Sequence, residues 1–183
     1  MKKIVCLGDS LTYGYMLERI ESFPYILGEI SSYKVLNKGI NGDTSLGMLT
    51  RLKSDVFEEN PNILILLGGV NDFYANISTE EVSNNIKTII VHTLDKKIKP
   101  VILISPPVEE LSQSEIIINS KLEGLYKDLL GYKKFFNFTL INLYEIFKKK
   151  EDIAKYYLDG LHLNKKGNML IAESILEKLS LKK

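Results

Sequence analysis

Five short apolar runs, Ile4 to Leu7, Val35 to Leu36, Ile63 to Leu67, Val101 to Ile104 and Leu140 to Ile141, recur along the chain with helix-spaced segments between them. This alternation predicts an α/β fold on a parallel sheet, because parallel neighbours need a crossover and the crossover is usually a helix. Ile63–Leu67 and Val101–Ile104 are apolar without interruption, the pattern of strands covered by helices on both faces. The longest helix is expected from Ser78 to about Lys97. Ser78 and Glu81 have capping-box spacing, and Val82, Ile86, Ile89, Ile90 and Leu94 share one face. A second runs from about Asn164 to Leu179, with Ile171, Ala172, Ile175, Leu176 and Leu179 as its buried stripe. Shorter helices are expected near Pro24 to Ile30, Ser45 to Phe57 and Ser114 to Leu130.

A chain of 183 residues suits one domain, residues 1–183, able to bury roughly 70% of its unfolded surface. With 24 Lys+Arg against 23 Asp+Glu the formal charge is +1, so the balance argues for neither nucleic acid nor an anionic membrane as partner. The basic runs Lys148 to Lys150 and Lys182 to Lys183 read as solvated helix ends or tails. One cysteine, Cys6, allows no intrachain disulfide and no multi-cysteine metal site, and its apolar strand makes it a buried structural thiol. Only Met1, Lys2 and Lys3 precede the first strand, without an apolar leader, and no apolar run has the length of a membrane span. The expected location is the cytoplasm.

In a parallel sheet all strands end on one edge, and there ligands bind. The first strand is expected to stop at Leu7 or Gly8, so that a loop presents Ser10 just beyond it. Asp9 and Ser10 would serve equally well as caps of a following helix. After the second strand comes Asn37-Lys38-Gly39-Ile40-Asn41-Gly42-Asp43-Thr44; after the third, Gly68-Gly69-Val70-Asn71-Asp72; after the fourth, Ser105-Pro106-Pro107. Asp159-Gly160-Leu161-His162 lies just before the last helix.

Together these segments hold a hydroxyl, an imidazole, a carboxylate and amide donors, the groups acyl transfer through a serine requires. Of the two histidines, His92 falls within the long helix on the flank of its apolar stripe, where a surface role suffices. His162 sits in a loop with Asp159 three residues earlier, close enough for the carboxylate to fold back on one ring nitrogen. The other nitrogen is then free for the proton of Ser10. Oxyanion donors would be the backbone N–H groups of Ser10 and Gly42 and the side-chain amide of Asn71. Each segment also has an ordinary reading, since Asn41-Gly42 and Gly68-Gly69 are turn formers and Asn71-Asp72 can cap a helix.

Gly8-Asp9-Ser10-Leu11, Asn41-Gly42-Asp43-Thr44, Gly69-Val70-Asn71-Asp72 and Asp159-Gly160-Leu161-His162 resemble, in order, the four sequence blocks of the SGNH or GDSL-type esterase and lipase family. The resemblance spans almost the whole chain. It implies a flavodoxin-like three-layer α/β/α sandwich with a five-stranded parallel sheet. It also implies Ser10 as nucleophile, Asp159 and His162 as its triad partners, Gly42 and Asn71 in the oxyanion hole, and hydrolysis through an acyl-serine without metal or cofactor. GDSLTYGYMLERIESFPYIL and NGDTSLGMLTRL look most similar to the small bacterial acyl thioesterase, lysophospholipase and arylesterase members, which implies a small-molecule acyl ester or thioester as substrate. Pro107 to Glu115 is expected to border the cleft.

Two other readings use the same sheet edge. A carbohydrate O-acetylesterase would employ the same residues in a more polar pocket, although the absence of tryptophan mildly disfavours a stacking platform for sugar. A non-catalytic flavodoxin-like module would bind nucleotide or phosphate there. Against it, the Gly8–Gly14 segment lacks the lysine of a P-loop, and no GxGxxG run is present.

Overall fold

The computed structural model describes residues 2–181. Its centre is a five-stranded sheet of β1 (Lys3–Gly8), β2 (Lys34–Gly39), β3 (Ile63–Leu67), β4 (Lys99–Ile104) and β5 (Thr139–Asn142), ordered β2-β1-β3-β4-β5. Every pairing is parallel. The chain order turns back beside β1, between β2 and β3, which is where an open α/β sheet forms its ligand crevice.

Side chains alternate across the strands, so each strand feeds two cores. On one face Val5, Leu7, Leu64, Leu66, Ile102 and Ile104 pack beneath α3 (Ser45–Thr50), α6 (Thr79–Asp95) and α7 (Gln113–Tyr132) through residues such as Met48, Ile86, Ile90 and Leu122. On the other, Ile4, Cys6, Ile65, Leu67, Val101 and Leu103 meet α2 (Phe23–Ile30), α8 (Leu143–Lys148) and α9 (Lys165–Leu179) through Phe23, Leu27, Phe147, Ile171 and Ile175. The result is a three-layer α/β/α sandwich. Cys6 is fully buried, and that burial raises its thiol above the ordinary value.

The expected elements are present, with instructive differences. Ser78 caps α6 by accepting from the Glu81 N–H at 3.1 Å, and Asn164 caps α9. The second strand is longer than the Val35–Leu36 run because β2 is an edge strand, whose half-covered Asn37 and Lys38 pair with β1 without being apolar. The helix expected over Ser45–Phe57 is broken: α3 ends at Thr50, α4 covers Leu52–Asp55, and a 3-10 turn follows at Phe57–Glu59. Arg51 sits at the break, with φ −96° and ψ 7°. Two further short helices, α1 (Ser10–Tyr13) and α5 (Val70–Tyr74), begin just beyond β1 and β3. Lys148 closes α8 and lies 3.7 Å from Glu123; Lys182 and Lys183 lie outside the described residues.

Candidate active site

Ser10 is the first residue of α1 rather than a member of an open loop. Asp9 precedes it as N-cap, its Oδ1 accepting the Leu11 N–H at 2.9 Å, so the capping and presentation readings are one piece of geometry. Gly8 permits the turn because a Cβ there would overlap the Leu67 carbonyl oxygen and the Thr12 hydroxyl. Asp9 itself is almost fully buried, with Oδ2 unpartnered. Burial pushes its carboxyl up to about 7, against the pull of the Leu11 N–H and with help from the negative charges of Asp43 and Asp72.

His162 reaches Ser10 from the far end of the chain. Tyr157 and Leu163 pair across an antiparallel bridge, and the Leu158 N–H donates to the His162 carbonyl at 2.8 Å, which closes residues 158–162 into a hook. Within it, Asp159 Oδ1 accepts from the N–H groups of Leu161 (3.0 Å) and His162 (2.6 Å). Oδ2 faces the His162 ring, 2.7 Å from Nδ1. With Nδ1 protonated and donating to Asp159, Nε2 presents its lone pair to the Ser10 hydroxyl, 3.2 Å away. Burial works to raise the Asp159 carboxyl, but the ring and backbone donors outweigh it and hold the group below its ordinary value. Gly160 carries φ +82°, and a Cβ there would strike Glu109, whose N–H donates to the Gly160 carbonyl at 2.8 Å. Thus the Pro107–Glu115 segment meets the hook through Glu109. Behind it lies a cavity of about 280 Å³ lined by Pro107, Val108, Asn119, Tyr144, Ile153 and Tyr157 among others.

The three expected donors lie on the neighbouring segments. Gly42 adopts φ +76° in the turn after β2. Among the described residues, neither its N–H nor that of Ser10 donates to another protein group. Asn71, in the first turn of α5, uses one amide hydrogen on the Asp43 carbonyl at 2.9 Å, which leaves the second free. Asp72 points the other way, into the protein, where its carboxylate accepts the Ser45 N–H and, at 2.6 Å, the Ser45 hydroxyl. Asn85 of α6 donates to that hydroxyl at 3.0 Å. The loops after β2 and β3 are therefore joined twice. His92 is exposed on α6, apart from this cluster.

Two further contacts adjoin the site. Tyr15 lays its ring against the imidazole of His162, with centroids 4.6 Å apart. Arg51 ties β1, β2 and Asp43 together. For Tyr15 no sequence pattern points across 147 residues to a histidine. For Arg51 there is a faint signal: it is one of two arginines among 24 basic residues, and arginine supplies a planar fork of donors that lysine lacks.

Chemically, the arrangement offers a hydroxyl beside an imidazole oriented by a carboxylate, with unengaged N–H groups nearby. Residues 6–170 match the model of the GDSL-like Lipase/Acylhydrolase family. The arylesterase of Vibrio mimicus is 23% identical over 187 residues, covering 97% of this chain and 88% of that protein. Thioesterase 1/protease 1/lysophospholipase L1 of Escherichia coli K12 is 25% identical over 182 residues, covering 96% and 82%. Among solved structures, the acetyl xylan esterase AlAXEase shares the fold at a TM-score of 0.78 and 21% identity, covering 96% of this chain and 98% of that one.

Proposed function

The chain belongs to the GDSL-like lipase/acylhydrolase family and is a carboxylic ester hydrolase; we propose that it cleaves small or medium acyl esters or thioesters through an acyl-serine on Ser10, within one domain spanning residues 1–183. The observation that carries this reading is the continuous path from Asp159 Oδ2 to His162 Nδ1 (2.7 Å) and from His162 Nε2 to Ser10 Oγ (3.2 Å). Ser10 Oγ attacks the substrate carbonyl carbon while its proton passes to Nε2. The carbonyl oxygen takes the negative charge and is met by the N–H groups of Ser10 and Gly42 and the free amide hydrogen of Asn71. Collapse of this intermediate breaks the ester or thioester bond, and the leaving oxygen or sulfur collects the proton from His162. Water then attacks the acyl-serine with His162 again as base, which releases the carboxylic acid and restores Ser10. Asp159 fixes the ring tautomer and stabilises the imidazolium at each step.

The partly exposed Tyr15 ring against His162 gives the site an aromatic surface that suits an acyl or aryl group. The likeness in fold to an acetyl xylan esterase supports the second reading, a carbohydrate O-acetylesterase on the same residues. Rates on short-chain aryl esters, acyl thioesters and acetylated xylo-oligosaccharides decide between them. The first reading expects the highest kcat/KM on the aryl esters or thioesters; a strong preference for the acetylated sugar would replace it with the second.

A further inference from the structure

Arg51 lies below the site, only partly exposed, and all three of its guanidinium nitrogens are engaged. Nη2 donates to the Gly8 carbonyl at 3.0 Å, two residues before Ser10. Nη1 donates to the Lys38 carbonyl at 2.8 Å, near the end of β2, and to Asp55 Oδ2 at 2.7 Å. Nε donates to Asp43 Oδ2 at 2.8 Å, and Nη2 approaches the same oxygen at 2.6 Å. Asp43 is the residue after Gly42, and its carbonyl is the acceptor that holds the Asn71 amide. One rigid side chain therefore touches the backbone leading to Ser10, the strand leading to Gly42, and the residue that aims Asn71.

We propose that Arg51 is a positioning residue for oxyanion stabilisation, setting the spacing of the Ser10, Gly42 and Asn71 donors through its contacts with Gly8, Lys38 and Asp43. The inference rests on the acyl-serine reading above and adds to it a residue that touches no substrate. Three features favour this role over a plain ion pair. Two of the acceptors are strand-end carbonyls, which a surface salt bridge would not need. The guanidinium fork matches acceptors in several directions at once, whereas an ammonium is a single point. Its position also explains the break between α3 and α4, since Arg51 leaves helical geometry where its side chain turns under the sheet edge. The cation also offsets Asp43 and Asp55 beneath a place where negative charge develops in the reaction.

Arg51→Lys keeps the charge and removes the fork. The expected result is a fall in kcat of about ten- to a hundredfold, as for a small misplacement of catalytic groups, with KM and the pH midpoint of kcat/KM unmoved. In an Asn71→Ala background, Arg51→Lys should cost distinctly less than in wild type, because the donor it aims is already gone. An independent readout is the amide spectrum of 15N-labelled protein, where the Asn71 side-chain and Gly42 resonances should shift and exchange faster with solvent in Arg51→Lys. Wild-type kcat together with unmoved Asn71 and Gly42 resonances would overturn the proposal, as would an equal loss of kcat in both backgrounds with those resonances unmoved. If the wild-type protein turned over no ester, the acyl-serine reading would fail. The amide spectrum would still decide whether Arg51 places the donors.

Discussion

The Tyr15 ring covers the His162 imidazole at a centroid distance of 4.6 Å and an interplanar angle of 50°. Tyr15 is nearly half exposed, so it lies over the imidazole at the surface rather than in the core. Together with Asp159 it restricts the ring to the orientation that faces Ser10. Aromatic contacts of this kind contribute about 0.5–1.5 kcal/mol. Tyr15→Ala should therefore lower kcat/KM roughly three- to tenfold, on that scale, whereas Tyr15→Phe should stay near wild type. Steady-state kinetics on one aryl ester tests both, and equal losses in the two variants would transfer the role to the hydroxyl.

Asp9 imposes a pH dependence on stability. Burial lifts its folded-state carboxyl to about 7, above the value of an unfolded aspartate. The stabilisation linked to this group is complete below the unfolded value and is lost as pH rises through about 7. Relative to Asp9→Asn, the wild-type protein should lose thermal stability between acidic and neutral pH. Melting temperatures of the two proteins across that interval check the prediction, and a constant difference would contradict it.

Asp72 joins the loop after β3 to the start of α3. Burial raises its carboxyl while the Ser45 donors pull it back. Asp72→Ala would strand the buried Ser45 N–H and hydroxyl, at a cost of about 1–3 kcal/mol for unsatisfied buried groups. Asp72→Asn retains one acceptor oxygen and should lose less. Chemical denaturation of both variants measures the difference. Equal stability of Asp72→Ala and wild type would show that water replaces the carboxylate.

Much of the frame could be read from local pattern. Ile63–Leu67 is apolar throughout because β3 is central and covered on both faces, and its strand bounds match the run. The triad candidates were legible for a related reason: with two histidines and one of them on the outer side of a long amphipathic helix, few combinations remained. What stayed hidden depends on distant partners. α1 and α5 have four and five residues, too few to display a helical period. The break at Arg51 is invisible in Ser45–Phe57 because Met48, Leu52 and Val56 keep apolar spacing across it. The burial of Asp9 and the tilted ring contact of Tyr15 with His162 arise only once distant segments converge.

The most direct measurement is labelling with a fluorophosphonate, located by peptide mass spectrometry, in wild type and in His162→Ala. An acyl-serine mechanism on Ser10 predicts stoichiometric modification of that residue in wild type, a much slower reaction in His162→Ala, and loss of ester turnover in Ser10→Ala with the fold retained. Labelling at another residue, or equal labelling of Ser10 with and without His162, would contradict it.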